Sequence, residues 1–331
     1  MGKTYKASGV DIEAGDETVR RIKPLVKSTF NDKVLTDIGH FGAFYDAKFE
    51  DYEHPILVSS VDGVGTKLKV AFITNRHDTV GHDLVNHCVN DILACGAKPL
   101  FFMDYFGAGE LDPNVAEDIV KGFVAGCREN GCALVGGETA EMPQMYQKGE
   151  YDISGTIVGV VDKNDIVNGS EIQPGNVMIG LESSGLHTNG YSLARAVMLE
   201  KFGHDQHLDE LGTTAGEALL EVHRSYLKYV LSLAEKHMLK GISHITGGGI
   251  VGNTSRILPE GAAMNIDWHS WDWLPIFKLI QQHGDVDTEE MRQVFNLGIG
   301  MILICDKTEA DKIMEATAEL NPKVIGQIVK E

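Results

Sequence analysis

The chain has 331 residues, 43% hydrophobic and 23% charged, enough for two domains of ordinary size, each with its own core. Its formal net charge of −19 excludes a duplex-binding surface, which needs a basic face to release counterions. Polyanionic nucleotides remain within reach if a divalent cation and a few local Lys or Arg residues neutralise their phosphates.

The 37 glycines, above the usual ~7% of a chain, gather in short loops and not in repeats, a distribution that suits ligand-cradling turns. Five cysteines, Cys88, Cys95, Cys127, Cys132 and Cys305, form no C-x-x-C pair and mostly lie in apolar runs, so they read as buried free thiols. The N-terminal stretch MGKTYKASGVDIEAGD has no apolar core of a signal peptide, and no apolar run approaches the ~20 residues of a membrane span. The expectation is a soluble cytoplasmic protein.

Residues 1–15 are polar and glycine-dotted and read as an arm that orders by docking. Val19, Ile22 and Val26 predict a helix over 16–28 behind a capping Asp16, with Pro24 weakening the pattern. Phe41 to Tyr45 alternates like a strand. Ile56 to Val61 predicts a buried strand, which runs into Asp62-Gly63-Val64-Gly65-Thr66-Lys67. A carboxylate, two glycines, a hydroxyl and an ammonium in six residues can hold a metal and meet phosphate oxygens, although the spacing is not that of a Walker A loop. The same residues also read as a tight turn with a solvated Asp and Lys.

Asp78 to Cys95 predicts a helix that carries Asp83, His87, Asn90 and Asp91 at i, i+4, i+7 and i+8, all on one face. Such a face is either solvated or, beside a phosphate loop, a metal-binding wall. A strand follows over 98–106, then a helix opened by Asp112-Pro113 and running to about Asn130. Cys132 to Val135 predicts a strand that breaks at Gly136-Gly137-Glu138-Thr139, and Tyr151 to Val161 predicts another. Asn, Gly, Ser, Glu and Pro accumulate near 165–175, which divides the chain into domains 1–165 and 166–331.

The second half opens with a strand at Val177–Leu181, then Ser183 to Gly190 and a helix from Tyr191. Residues 215–238 predict one long amphipathic helix. A short strand, 242–245, ends at Thr246-Gly247-Gly248-Gly249 before a helix from Ile250, a glycine run suited to an anion. Strand, helix and strand close the chain at 297–305, 307–319 and 323–329. Both halves are thus α/β, with strands that feed glycine-rich turns.

Seven motifs stand in order across nearly the whole chain: SGVDIEAG (8–15), DGVGTK (62–67), CVND (88–91), GGETAEMP (136–143), SSGLHTNGYSL (183–193), HITGGG (244–249) and FNLGIGM (295–301). Together they closely resemble the phosphoribosylformylglycinamidine cyclo-ligases, or aminoimidazole ribonucleotide synthetases. The resemblance implies two α/β domains, the first dimerising through its sheet to build a barrel-like interface, the second a mixed sheet covered by helices. It implies a homodimer that converts formylglycinamidine ribonucleotide and ATP to 5-aminoimidazole ribonucleotide, ADP and phosphate with Mg²⁺, and that binds neither nucleic acid nor membrane.

A formamide oxygen leaves poorly, so ATP would phosphorylate it and the amidine nitrogen would then displace phosphate. By the resemblance, Asp62 and Asp91, with Glu138, would hold Mg²⁺. Gly63, Gly65, Thr66, Lys67, Asn90, Gly136, Gly137 and Thr139 would line the ATP side, with Lys23 as a further cation near the phosphates. His187 and His244 would carry protons or contact phosphate. Ser183, Ser184, Asn189, Thr246, Gly247, Gly248 and Gly249 would meet the substrate. Residue by residue, His187 reads equally as a helix cap and His244 as a satisfied strand-end imidazole.

Rivals on the same fold fit less well. A selenophosphate synthetase would carry a reactive Cys in its N-terminal arm, and a hydrogenase-maturation relative would end in a modifiable Cys; this chain does neither. Thiamine-phosphate kinase is the nearest enzymatic rival, and a silent dimeric binding protein the alternative of another class.

Overall fold

The computed structural model describes residues 5–331. The first four residues of the expected N-terminal arm therefore lie outside the described residues. Helix α1 spans Ile12–Lys27, earlier than predicted, because Asp11 and not Asp16 caps it by accepting from the Glu13 amide. Pro24 sits inside this helix without ending it. Phe41 to Tyr45 forms no strand; only an isolated bridge joins Val34 to Tyr45.

The first sheet has strands β1 (Pro55–Gly63), β2 (Lys98–Ala108), β3 (Ala133–Glu141) and β4 (Tyr151–Asp162), in the order β1-β4-β2-β3. It is curled like half a barrel, with β2 and β3 parallel and the other neighbours antiparallel. Helices α2 (Leu68–Thr74), α3 (Val80–Leu93) and α4 (Pro113–Glu129) follow the strands, and α1, α3 and α4 pack against the inner face. Helices α3 and α4 approach closely at Gly81 and Gly122, where a Cβ would fall 2.3 Å from Ile119 O and 2.5 Å from Asp78 O, respectively.

The outer face of this sheet is open along β1, although Tyr45 packs on Phe101 and Val160 is buried. Leu57 and Val61 are 60% and 63% exposed, so β1 is open on one side and not the buried strand its composition predicts.

The second domain is built on β5 (Val177–Glu182), β8 (Gly241–His244), β9 (Ala262–Ile266), β10 (Ile299–Cys305) and β11 (Lys323–Lys330), in the order β8-β10-β5-β11-β9. A two-residue ribbon, β6 (His207–Leu208) with β7 (Thr213–Thr214), lies outside it. Every neighbouring pair of the five-stranded sheet is antiparallel, which corrects the expectation of mixed pairing there; β2 and β3 of the first sheet are the one parallel pair of named strands among the described residues. Strand β10 is apolar throughout because both faces are covered: Met301, Leu303 and Cys305 join one buried cluster, Ile302 and Ile304 another. The helices are α5 (Tyr191–Phe202), α6 (Ala215–Leu219), α7 (Leu227–Glu235), α8 (Gly249–Thr254), α9 (Pro275–Gly284), α10 (Thr288–Val294) and α11 (Ala310–Ala316).

The single helix predicted over 215–238 is in fact two, α6 and α7. Residues 221–226 leave the helical path because α3 takes over their backbone groups. Asp83 accepts from the His223 amide at 2.7 Å, Asn86 donates to His223 O and Asn90 donates to Arg224 O, both at 2.8 Å. Asn90 Oδ1 then accepts from the Tyr226 amide at 3.0 Å. These bonds, and one apolar cluster that runs from Val26 to Leu297, lock the two domains together. Four cysteines are buried, Cys95 is half-buried, and all five are free thiols.

Candidate functional site

The domain seam opens into a cleft of about 470 Å³ lined by Asp62, Gly63, Gly65, His87, Asp152, Ile153, Ser154, Thr188, Asn189 and Thr246. Its floor follows from three local facts. Asp62 ends β1 on the face that looks toward α3; His87 and Asp91, one helical turn apart on α3, meet it there; and the turn after β5 delivers Thr188 from the second domain.

His87 joins the pieces. Its Nε2 lies 3.0 Å from Asp62 Oδ2 and 3.9 Å from Asp91 Oδ2, and its Nδ1 lies 2.7 Å from Thr188 Oγ1. Asp91 also accepts from Ser60 Oγ and from His244 Nδ1, each at 2.8 Å. Behind His244 stands His223, with the two Nε2 atoms 3.1 Å apart, and the His223 ring stacks on His187 at 3.9 Å and 20°.

The charges follow from these contacts. Burial works to neutralise His87, yet its hydrogen bond to Asp62 and the charge of Asp91 prevail and hold its pKa above the ordinary imidazole value. Burial likewise works to raise Asp62 and Asp91, but the imidazoles bonded to them prevail and both stay below the ordinary carboxylate value. His187, His223 and His244 are pushed down by burial and remain neutral. His244 therefore serves Asp91 as an uncharged N–H donor.

The residues expected to act together do not all come together. Asp62 and Asp91 do meet, and Gly63, Gly65, Asn189 and Thr246 border the same cleft. Glu138 is not with them, which corrects the expected metal trio. Asp62, Gly155, Asp104 and Gly137 form one row across the sheet, and Gly63, Ser154, Tyr105 and Glu138 the next. Glu138 is thus three strands from Asp62, roughly 14 Å, and points to the opposite face. With Gly136, Gly137 and Thr139 it borders a separate groove of about 560 Å³, closed by residues 37–43 and α1. Lys23 stands beside that groove, its ammonium 3.3 Å from Asp37 and 3.4 Å from Ile38 O.

Lys67 is a second correction. It is fully buried, and its ammonium meets Asp83 Oδ1 at 2.8 Å, Glu221 O at 2.6 Å and His187 O at 3.2 Å. All three N–H donors are directed inward, so Lys67 offers none to a phosphate. Asn90, bonded to the 221–226 segment, is likewise a tie between domains. Thr66 Oγ1 lies 3.2 Å from Ser192 Oγ across the seam.

The candidate substrate hydroxyls turn inward as well. Ser183 donates to Gly185 O, and Ser184 to Val222 O. Asn253 holds the Thr246–Gly249 turn by donating to Thr246 O, Gly247 O and Gly249 O, and the helix after it, α8, has only six residues.

His187 is 1% exposed, has a left-handed backbone (φ 62°) and uses Nε2 to accept from the Ser184 amide, while Nδ1 is buried without a partner. Neither His187 nor His244 reaches the cleft wall; the imidazole that does is His87. His87 was visible only as part of a polar helical face, and Thr188 only inside a motif. His223 gave no signal, because it lies in an apparent amphipathic helix.

Among the described residues, two clusters bring potential metal ligands within 4.8 Å of one another: His87, Asp91 and His244, and His187, His223 and His244. In the second, His223 and His244 use both ring nitrogens for hydrogen bonds and the stacked rings do not aim their lone pairs at a common point. Asp62, which lines the cleft, and Asp91, which meets it at His87, are instead hard oxygen donors and fit a cation such as Mg²⁺.

Residues 46–161 match the family described as AIR synthase related protein, N-terminal domain, and residues 173–331 match its C-terminal domain. The chain belongs to the AIR synthase family. Among its relatives is the phosphoribosylformylglycinamidine cyclo-ligase of Syntrophotalea carbinolica, 50% identical over 99% of this chain and 95% of that one. That of Brevibacillus brevis is also 50% identical, over 99% and 96%. In structure, this AIR synthase family member is similar to thiamine-monophosphate kinase from Stenotrophomonas maltophilia, with a TM-score of 0.70 at 18% identity over 95% and 94% of the chains. It is also similar to the hydrogenase maturation protein HypE of E. coli, at 0.68 and 17% over 94% and 90%. These two likenesses concern the fold alone.

Proposed function

We propose that the cleft closes the imidazole ring of 5-aminoimidazole ribonucleotide from formylglycinamidine ribonucleotide, with ATP converted to ADP and phosphate. The chain is an ATP-dependent ligase of purine biosynthesis, in keeping with cyclo-ligase relatives half identical over almost its full length. The observation that carries the residue assignment is the meeting of Asp62 and Asp91 around His87, in a cleft whose lining contains no Lys or Arg. With Lys67 sealed away, a polyphosphate can settle against these carboxylates only when a divalent cation comes with it.

Asp62 and Asp91 would hold Mg²⁺. When bound, Mg²⁺ supplies the neutralising charge for the transferring phosphoryl group. Thr188, Asn189 and Thr246 face the glycine turn at 63–65 and limit where the formamide can lie. His87 borders this space and holds a proton at Nε2, beside the point where the amidine nitrogen must lose one and the phosphorylated oxygen must depart. His244 keeps Asp91 in place from behind and does not itself meet the substrate.

Lys23 and Gly136–Thr139 remain on the nucleotide side, in the groove whose apolar wall of Val19, Ile22, Val26 and Leu134 suits a base. The exposed outer sheet face carrying Leu57, Val61 and Met103 is the surface for a second copy in a homodimer. Glu138 points to that same face, so its partner in catalysis would come from the other protomer. Among the described residues no helix is long and apolar enough to cross a membrane, and we place the enzyme in the cytoplasm with its nucleotide substrates.

The test is ADP release measured with formylglycinamidine ribonucleotide and, separately, with thiamine phosphate. Release that depends on the first supports the reading. Substrate-independent hydrolysis, or stimulation by thiamine phosphate, removes it.

A further inference from the structure

His223 is fully buried, does not line the cleft and belongs to none of the seven motifs, yet every polar group it has is engaged. Its amide donates to Asp83 at 2.7 Å and its carbonyl accepts from Asn86 at 2.8 Å, which fixes the backbone on α3. Stacking on His187 fixes the ring plane. Its Nδ1 lies 3.3 Å from Thr188 Oγ1 and its Nε2 lies 3.1 Å from His244 Nε2.

These contacts admit a definite order of donors. A carboxylate only accepts, so at the 2.8 Å contact with Asp91 it is His244 Nδ1 that carries hydrogen. Two imidazole nitrogens 3.1 Å apart need one hydrogen between them. With one hydrogen per ring, the form that adds no charge to these buried imidazoles, that hydrogen is on His223 Nε2, and His223 Nδ1 accepts from the Thr188 hydroxyl. Thr188 in turn keeps its oxygen lone pairs for His87 Nδ1–H, 2.7 Å away. One unbroken series of bonds runs from His87 through Thr188, His223 and His244 to Asp91.

We propose that His223 is a positioning residue of the ring-closure site: by bonding the other nitrogen of His244 it holds the ring whose Nδ1–H fixes Asp91, and through Thr188 it ties that setting to His87. The proposal rests on the reading of the cleft as the ring-closure site. A packing residue would need only its ring. This one uses two nitrogens in opposite roles, and it links the two groups that border Asp62 and Asp91 without touching either carboxylate. Supporting partners of this kind, when removed, typically lower activity or metal affinity by about 10–100-fold.

The experiment pairs two readouts on the full chain. The ring ¹⁵N shifts of His244, in protein labelled at histidine, give its tautomer; steady-state kinetics of ADP release give kcat and KM. In the wild type His244 is expected as the Nδ1–H form. His223→Phe, which keeps the stack but neither nitrogen function, should leave His244 Nε2 without its donor, move that nitrogen's ¹⁵N shift toward the free imine value, and lower kcat about 10–100-fold with KM for the ribonucleotide little changed. His223→Gln, whose amide can still donate to His244, should recover part of kcat. A wild-type His244 in the Nε2–H form overturns the proposal even if the Phe variant fails to fold, and so does a folded His223→Phe with wild-type kcat. Should the chain lack cyclo-ligase turnover altogether, the functional reading fails while the tautomer measurement still decides the role of His223.

Discussion

Lys67 and Asp83 form a 2.8 Å ion pair from which solvent is wholly excluded. Burial lowers the pKa of the lysine and raises that of the aspartate, and the pair is kept charged by carbonyls of His187 and Glu221 on one side and the His223 amide on the other. Removing one member of such a pair strands the other and costs about 3–5 kcal/mol. Lys67→Met should therefore shift the urea midpoint strongly, and adding Asp83→Leu should restore part of the loss. A stable Lys67→Met with only a raised KM for ATP would return Lys67 to the phosphates.

Asp62 and Asp91 act as a pair for a different reason. Each is held as an anion beside His87, at a cleft lined by no Lys or Arg. Asp62→Asn and Asp91→Asn keep the shape and remove the charge. Both should reduce kcat by about 10²-fold or more, with thermal stability nearly unchanged and a weaker response to added Mg²⁺. Full turnover in either variant would remove the metal assignment.

The open sheet face predicts an association. Leu57 and Val61 project from the outer face of β1, on strand ends that no helix covers. Replacing both by Asp should halve the mass measured by sedimentation equilibrium and leave the far-UV circular dichroism of the protomer intact. Equal masses for wild type and variant would rule out this face as the dimer contact.

Much of this was legible in the sequence because it depends on local pattern. The apolar stripe of α3, the Asp112-Pro113 start of α4 and the glycine turns after β1 and β8 lie where periodicity and turn chemistry put them. What could not be read depends on partners far away in the chain. Lys67 looks like a phosphate ligand until Asp83, 16 residues on, and Glu221, 154 residues on, enclose it. The helix predicted over 215–238 has good propensity throughout, but the side chains of α3 compete for its backbone, and tertiary hydrogen bonds prevail over propensity. Glu138 is close to the site in motif space, yet the pleat turns it to the opposite face of the sheet.

Gly300 on β10 shows how tightly the buried imidazoles are seated. A Cβ there would lie 2.1 Å from the Tyr226 hydroxyl and 2.5 Å from His187 Cε1. Gly300→Ala must displace the tyrosine, which donates to Glu182 O at 3.0 Å, or push His187 off the stack with His223. Overpacking of this kind typically costs about 1–3 kcal/mol, and here it should also reduce kcat through the shifted stack. Chemical denaturation and turnover measured on the same sample check both; unchanged values for each would mean that the strand yields instead.

The buried imidazoles also set the acid limit of the fold. His187 and His223 are held far below the ordinary imidazole value by burial, and His244 is lowered in the same direction. Below about pH 6.5 the unfolded chain binds protons at these positions while the folded chain does not, so stability must fall as pH falls. His87 runs the other way: its folded pKa is raised, so its contribution is complete below about pH 6.5 and is lost as pH rises through the folded value. Asp62 and Asp91, with lowered values, add a further loss only as pH drops below about 4. Between pH 7 and 5 the three neutral imidazoles dominate, and unfolding should take up to three protons, a slope on the order of 4 kcal/mol per pH unit at most. Urea midpoints across this range measure it directly. His223→Gln should remove about one proton from the slope, whereas an unchanged slope would mean that His223 is charged in the folded protein.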